Sequence, residues 1–451
     1  MTPSPPVAEK SERGFLPVLA NRHFRALWAA QWLAQVGQNA INFIQLVLIE
    51  QLTGSTVQIG ITILAFTLPG VIFSPAAGVV ADRWPKKWVL VGTNFLRAVI
   101  ALSYLVVLAG LQGGWRLIGI YLLTFLMSTL SQFFAPAEGA MIPLLVGEQR
   151  LLAANSLFSL TMVLSQMAGL VILGPVMVRL LGLVGGLVAI GIVYAGATAL
   201  VAWLPTDYPT AQPRADAASS WARMWVEFRE GLAFIATQGQ IQAAIGRLIT
   251  INTLVMIMAM LAPGYAARVL GMRPENAVIV FAPAGVGMLL ATAVVGRWGY
   301  LLRRIAFGYI GLTLAGLAFF GMGLLSLDYH RFMRPILDVV PEAAFSLTTI
   351  TMGLGMILGF SLSATNILAQ TRVQQDSPAP IRGRVLSVQF MLANLVGILP
   401  MLAFGGLADT LGIPRVLQII GAATIAVAAL IALLSAARTR PFWSLYRDRP
   451  D

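Results

Sequence analysis

The feature that most constrains this chain is a recurring one: long apolar windows, each bounded by Gly, Pro or a cluster of charge. They fall near 26–50, 57–81, 88–111, 116–135, 152–180 and 183–204, then near 241–266, 276–300, 304–327, 343–371, 383–408 and 413–436. Hydrocarbon offers a backbone no partner but itself, so an apolar window of ~20 residues becomes a membrane-spanning helix. The windows divide six and six about a polar break at 205–240. The expected fold is an all-α membrane protein of twelve transmembrane helices in two pseudo-symmetric six-helix bundles. A tail (1–25), a first bundle (26–204), a linker (205–240), a second bundle (241–436) and a second tail (437–451) follow in order. Within the linker Trp221, Trp225, Phe228 and Leu232 recur at helical spacing. That spacing predicts an amphipathic helix lying on the membrane face or against the bundle.

Composition removes other classes. Hydrophobic residues make up 58% and charged residues 11%, against about 25% charged in soluble domains. A net charge of +12 would suit nucleic acid if it were gathered into one patch, but it is scattered over the connections, and no nucleic-acid partner is expected. There is no cysteine, and His23 and His330, the only histidines, fall outside the spans. With no G-x-x-x-x-G-K-[ST] loop either, no metal, nucleotide or other cofactor is expected, and no enzymatic activity. Basic residues favour one set of connections about threefold, which predicts cytoplasmic tails at both ends in the plasma (inner) membrane. The expected partners are a small-molecule substrate and the bilayer, with protons as a candidate, and the chain is read as a monomer.

Between the second and third windows lies Gly78-Val79-Val80-Ala81-Asp82-Arg83-Trp84-Pro85-Lys86-Lys87. The spacing G-x-x-x-D-R-x-x-K-K resembles the loop between helices 2 and 3 of the major facilitator superfamily, usually G-x-x-x-D-R-x-G-R-R. Here Pro85 stands for the family's Gly, and lysines for its arginines. Other motifs resemble the drug–proton antiporter branch that holds macrolide and enterobactin exporters. They are Asn21-Arg22-x-Phe24-Arg25-x-Leu27-Trp28, Asn94-Phe95-Leu96-Arg97-Ala98, Pro136-Ala137-x-x-Ala140-x-x-Pro143 and Arg382-Gly383-Arg384-Val385. The resemblance implies a secondary transporter working by alternating access, a cavity lined by helix 1, and a cytoplasmic latch made by Asp82, Arg83, Lys86 and Lys87 with Gly78. Gating is extended by the same likeness to Gly169, Gly174 and Pro175 of helix 5 and to Arg382 and Arg384. For Lys86 and Lys87 a pure topology signal is an equal reading; for helix 5, simple packing and bending is the rival.

The sequence also departs from that branch. Gly37 is followed by Gln38 and Asn39 rather than an acid, span 4 lacks arginine, and helix 5 holds only part of the glycine–proline motif. These departures tell against a standard proton-coupling site. The implied function is export of neutral or anionic amphipathic molecules, such as a drug, macrolide or siderophore. An uptake permease or uniporter, and a transport-inactive sensor or scaffold, stand as alternatives.

Span 1 carries the clearest polar pattern. Gln31, Gln35, Gln38, Asn42 and Gln45 are spaced alternately four and three apart and fall within about 80° of arc. Amides in hydrocarbon must be paired or hydrated. Five in file exceed what helix packing requires, so the stripe is expected to line a cavity, with interhelical hydrogen bonding as the alternative. Shorter stripes hold Thr124, Ser128, Ser131 and Gln132 on span 4, and Ser363, Asn366 and Gln370 on span 10; Gln166 and Asn252 are single candidates.

No carboxylate is expected mid-span, which is why the substrate is read as neutral or anionic. Proton coupling would then use a boundary acid: Glu50, Asp82 or Glu138. An ordinary solvated loop position is the expected setting for Glu50. Arg97 lies roughly 14 Å along its helix from Trp88, near the midplane, and reads as a buried structural charge ahead of an anion site; Arg247, nearer a span end, is expected to snorkel.

Overall fold

In the computed structural model, residues 16–147, 150–206, 217–298, 306–337, 346–378 and 381–438 are described. The terminal segments of both tails, the Pro-rich part of the linker and the Arg303-Arg304 pair lie outside them. The described residues are helical and contain no strand. The long helices are α1 (Arg22–Thr53), α2 (Thr56–Arg83), α3 (Lys86–Gly110), α4 (Gly113–Val146), α5 (Leu151–Gln166) and α6 (Gly174–Ala202). After them come α7 (Ala217–Thr237), α8 (Gly239–Gly264), α9 (Ala277–Trp298), α10 (Ala306–Leu337), α11 (Leu347–Asp376), α12 (Arg382–Leu411) and α13 (Ile413–Arg438).

Ten stretches are long and apolar enough to cross a membrane among the described residues. Two causes separate that number from twelve. Helix α1 is one continuous helix of 32 residues, but its amides lower its hydropathy. Residues 153–202 form a single apolar run of 50 residues, which Gly182 breaks with φ 69° and ψ 179°. A positive φ of that size is cheap only for glycine. The architecture is the expected twelve-helix one.

Helix α3 shows why these are membrane helices. Its buried face holds Leu90, Thr93, Asn94, Arg97, Ala101 and Tyr104, while Phe95, Leu96, Val99, Leu102 and Val106 are exposed. Polar groups point inward and apolar ones outward, the reverse of a soluble helix, because lipid cannot satisfy a polar side chain. Two ends of the chain's first half are pinned by side chains. Asn21 Oδ1 accepts from the His23 and Phe24 backbone N–H groups, capping α1, while its Nδ2 donates to the Leu145 carbonyl at 2.7 Å. Pro85 ends α2 and precedes α3, a position where its missing N–H costs nothing.

The apolar pattern predicts an end to span 4 at 135, with a turn following. Instead α4 runs 34 residues to Val146 with Pro136 and Pro143 inside it. Proline inside a helix is tolerated in membranes because unwinding would strand more backbone groups than the proline does.

By contacts the chain forms two units: 1–45 with 65–220, and 46–64 with 221–451. In the first, α3 packs on α4 and α6. In the second, α9 packs on α11, α10 on α13, and α8 is enclosed by α11, α12 and α13. At one end of that unit Ile241, Ala244, Ile245, Leu248, Ala369, Val373, Val385 and Val388 form a core that Ile235 of α7 completes, with Phe228 and Phe234 against it. The linker helix therefore lies against the bundle.

Candidate functional site

The amides of α1 do not share one environment. Gln31 and Gln45 are each 1% exposed. Gln45 Nε2 donates to the Tyr104 hydroxyl at 2.7 Å, and that hydroxyl meets Thr124 Oγ1 at 2.8 Å. Gln35, Gln38, Asn39 and Asn42 are half-buried. Gln38 Nε2 donates to Asn42 Oδ1 at 3.0 Å, and Gln38 Oε1 accepts from Ser131 Oγ at 2.8 Å and Tyr194 OH at 3.3 Å. The stripe expected to line a cavity is thus buried at both ends, with Gln45 tied to Tyr104, and accessible only in its middle. A helical stripe rotates slowly about the helix axis, so its ends meet neighbours that its centre does not.

The remaining polar candidates divide in the same way. Ser128 Oγ donates to the Phe66 carbonyl at 2.5 Å, and Gln132 lies over Gly70 of α2. Asn252 Nδ2 donates to the Ala393 carbonyl at 2.8 Å, tying α8 to α12. Gln370 accepts from Gln389 Nε2 at 2.9 Å. Gln166 and Asn366 are exposed and Ser363 is half-buried.

The interior of the first unit does contain an acid, contrary to expectation. Because α4 continues past Pro136, Glu138 is inside a helix and 5% exposed. Its charge acts on Arg97, which is 2% exposed. The Arg97 guanidinium lies 4.9 Å from the Phe134 ring centroid and 5.6 Å from that of Tyr194, and Nη1 reaches Asn94 Oδ1 at 3.5 Å. Arg97 Nε, Asn94 Nδ2 and Glu138 Oε1 have no hydrogen-bond partner among the described residues. The Arg97 charge is met by the faces of two rings, with Glu138 near enough to act on it but not hydrogen-bonded to it. Arg247 likewise does not snorkel: it is 7% exposed, lies 5.2 Å from the Tyr309 ring, and Nε donates to the Ala243 carbonyl at 3.2 Å.

Of the gating candidates, Gly169 and Gly174 press on α1. A methyl on Gly169 would lie 2.5 Å from the Val36 carbonyl oxygen and 2.6 Å from Asn39 Cβ, and one on Gly174 2.9 Å from Phe43 Cδ1. The backbone widens into a π-helix over Met167–Leu173, directly before Gly174 and Pro175. A methyl on Gly78 would meet nothing within 4 Å among the described residues. Arg83 is exposed, Lys86 and Lys87 are half-buried, and Lys87 Nζ lies 5.7 Å from the Trp88 ring. The Asp82 side chain lies outside the described residues. Arg382 donates to the Ser377 carbonyl at 3.2 Å, and Arg384 pairs with Glu230 of α7.

Sequence reasoning missed two residues, Arg268 and Asp409. Glu50, expected to be solvated, has a side chain only 3% exposed and lies 3.3 Å from Arg268 Nε. Arg268 Nη1 is 3.5 Å from Asp409 Oδ1. The available signal was the start of α2, whose first turn holds no acid and whose dipole therefore wants one from elsewhere.

The helical plan and its polar interior find a match over most of the chain. The family model described as Major Facilitator Superfamily matches residues 27–401. The chain belongs to that superfamily. Among relatives, the MFS-type transporter YfiS of Bacillus subtilis is 25% identical over 91% of each chain. Macrolide efflux protein A of Streptococcus pyogenes is 22% identical, and the lysophospholipid transporter LplT of Klebsiella pneumoniae 23%, each over 92% of this chain and 96% of its own length. Among solved structures, the nucleoside transporter NupG superposes with a TM-score of 0.65 at 14% identity, covering 91% of this chain and 98% of its own. A bacterial homologue of the lysosomal transporter Spinster gives 0.66 at 15%, covering 95% and 98%. This major facilitator chain is accordingly a multi-pass membrane transporter of small molecules and not an enzyme.

Proposed function

We propose that the protein, built of bundles 26–204 and 241–436, exports neutral or anionic amphipathic small molecules by alternating access, with both tails cytoplasmic. The observation that carries this reading is the half-buried amide face of Gln35, Gln38 and Asn42, which offers donors and acceptors without net charge. Ser128, Gln132, Gln166, Asn252 and Asn366 are further candidates for substrate contact. The interior carboxylate does not ask for a cationic substrate, because the Arg97 charge already acts on Glu138. Likeness to a macrolide efflux protein favours export. Asp82, Arg83, Lys86 and Lys87 are assigned the cytoplasmic latch, Arg382 and Arg384 a supporting role through their turn and α7, and Glu50, Asp82 and Glu138 are the candidates for proton coupling.

A lipid-like substrate is the second reading, favoured by the likeness to a lysophospholipid transporter; uptake in place of export is a third, because α1 lacks the acid after Gly37. A thermal-shift screen with macrolides, siderophores and lysophospholipids, followed by flux of the best stabiliser in proteoliposomes with and without a pH gradient, tests all three. Outward flux of a macrolide or siderophore supports the proposal. Flux of lysophospholipid alone, or inward flux alone, replaces it.

A further inference from the structure

The hairpin joining α1 to α2 is fastened by residues distant in sequence. Asp409 Oδ1 accepts from the Thr56 backbone N–H at 2.7 Å, and Oδ2 from that of Val57 at 3.1 Å and from Ser55 Oγ at 2.6 Å. A carboxylate of α12 thus caps the N-terminus of α2, where a negative charge is stabilised by the exposed N–H groups. Arg268 completes the fastening: Nη2 donates to Thr56 Oγ1 at 2.7 Å, while Nε and Nη1 face Glu50 and Asp409. The apolar packing agrees, since a methyl on Gly60 would lie 3.1 Å from both Leu402 Cδ2 and Met260 Sδ, and one on Gly405 3.4 Å from Val57 Cα.

The charges in this knot do not balance. Two carboxylates share one guanidinium, and the charged groups acting on Glu50 are Arg268 and Asp409. Asp409 is about a quarter exposed, at 24%, and takes three hydrogen bonds from the cap; Arg268 is 33% exposed. Glu50 is 3% exposed and its Oε2 has no hydrogen-bond partner among the described residues. Like charges sharing a desolvated site favour one proton between them, and the carboxylate with the unpartnered buried oxygen is the one to hold it.

We propose that Glu50 is a proton-binding site of the hairpin: the fastened state carries a proton on Glu50, and loss of that proton favours release. The sign follows from the charge count. With Glu50 neutral, Arg268 and Asp409 pair one to one and fastening is stable; with Glu50 ionised, an uncompensated charge is buried and only hydration relieves it. Acid therefore fastens the hairpin and alkali loosens it. This rests on the transporter reading and deepens it, because the hairpin lies at the end of α2 opposite the Asp82 turn, outside the cell in the proposed orientation. Protons supplied there would favour closing after substrate has left.

The chain has no cysteine, so spin labels can be placed cleanly through Gln51→Cys and Thr410→Cys, both exposed. Label separation in the full-length protein in nanodiscs is measured from about pH 5 to about pH 8, where the ratio of separated to fastened populations should rise by up to about tenfold per pH unit. Glu50→Gln, permanently neutral, should stay fastened throughout, and its ratio should change by less than about twofold, as should that of Asp409→Asn, which corrects the charge count. Asp376→Asn, which removes an exposed ion pair with Arg372, should respond like the parent. A pH response retained in Glu50→Gln overturns the inference, whatever Asp409→Asn does. Separation that moves with an added substrate of the screening panel but not with pH overturns it while leaving the transporter reading intact; separation that moves with neither removes both.

Discussion

At the scale of single residues, the interior charges are decided by whether each partner is present. Removing Glu138 alone, as in Glu138→Gln, takes away an acid whose charge acts on Arg97 in a site where Arg97 is 2% exposed; losing a favourable partner of a buried charge costs about 1–3 kcal/mol. Thermal melts should show Glu138→Gln and Arg97→Met each strongly destabilised, and the combination Arg97→Met with Glu138→Gln less so than their sum. Strict additivity would mean the two charges do not act on one another. The amides separate by the same logic. Gln45→Ala removes the partner of Tyr104 and should lower stability by about 0.6–2 kcal/mol without changing substrate affinity. Gln35→Ala, on the accessible stretch of α1, should weaken affinity and leave the melt in place. If Gln35→Ala melts early and binds normally, the accessible face is packing too. Position in sequence showed that these residues are polar and aligned, but not which of them a neighbouring tyrosine would occupy.

At the scale of elements, glycines choose which faces meet. Gly169 lets α1 approach the π-helical turn so closely that a methyl would meet the Val36 carbonyl and Asn39 Cβ. Gly169→Ala should cost about 1–3 kcal/mol by overpacking, read as a lower melting temperature, and should slow flux if this contact is remade in each cycle. An unchanged melt would show that α1 and the π turn can separate freely. Linker helix α7 gives the same lesson. Its periodicity singled out a stripe through Phe228 and Leu232, but the docked face is Phe228, Gly231 and Ile235: a methyl on Gly231 would lie 2.7 Å from Val388 Cγ2, while Leu232 is 41% exposed. A hydrophobicity pattern has no weight for a residue whose use is to be absent. The extension of α4 past Pro136 was hidden for a related reason, since proline reads as a stop only where water can take over the freed carbonyl.

At the scale of the whole molecule, the transport cycle is where the Asp82 cluster is tested. Asp82→Asn should insert and melt like the parent, because an acid contributes little to topology, but should turn over more slowly in proteoliposome flux; full flux would reduce the cluster to an orientation signal. The twelve-helix plan was legible from the chain alone, and so was the family, because hydrocarbon forces every apolar window into a helix and the motif spacings sit at the windows' ends. Even the polar break in α1 that drops it below the hydropathy of its neighbours was visible as five amides in file. What the tertiary structure alone decided is the state of the charges. Glu50, Arg268 and Asp409 lie far apart along the chain and meet only after helices pack. Glu138 became an interior acid only when α4 continued through its prolines. Helix formation is dictated by local hydrophobicity, which sequence carries; the pairing of charges depends on which distant side chains share a desolvated space, and that only packing creates.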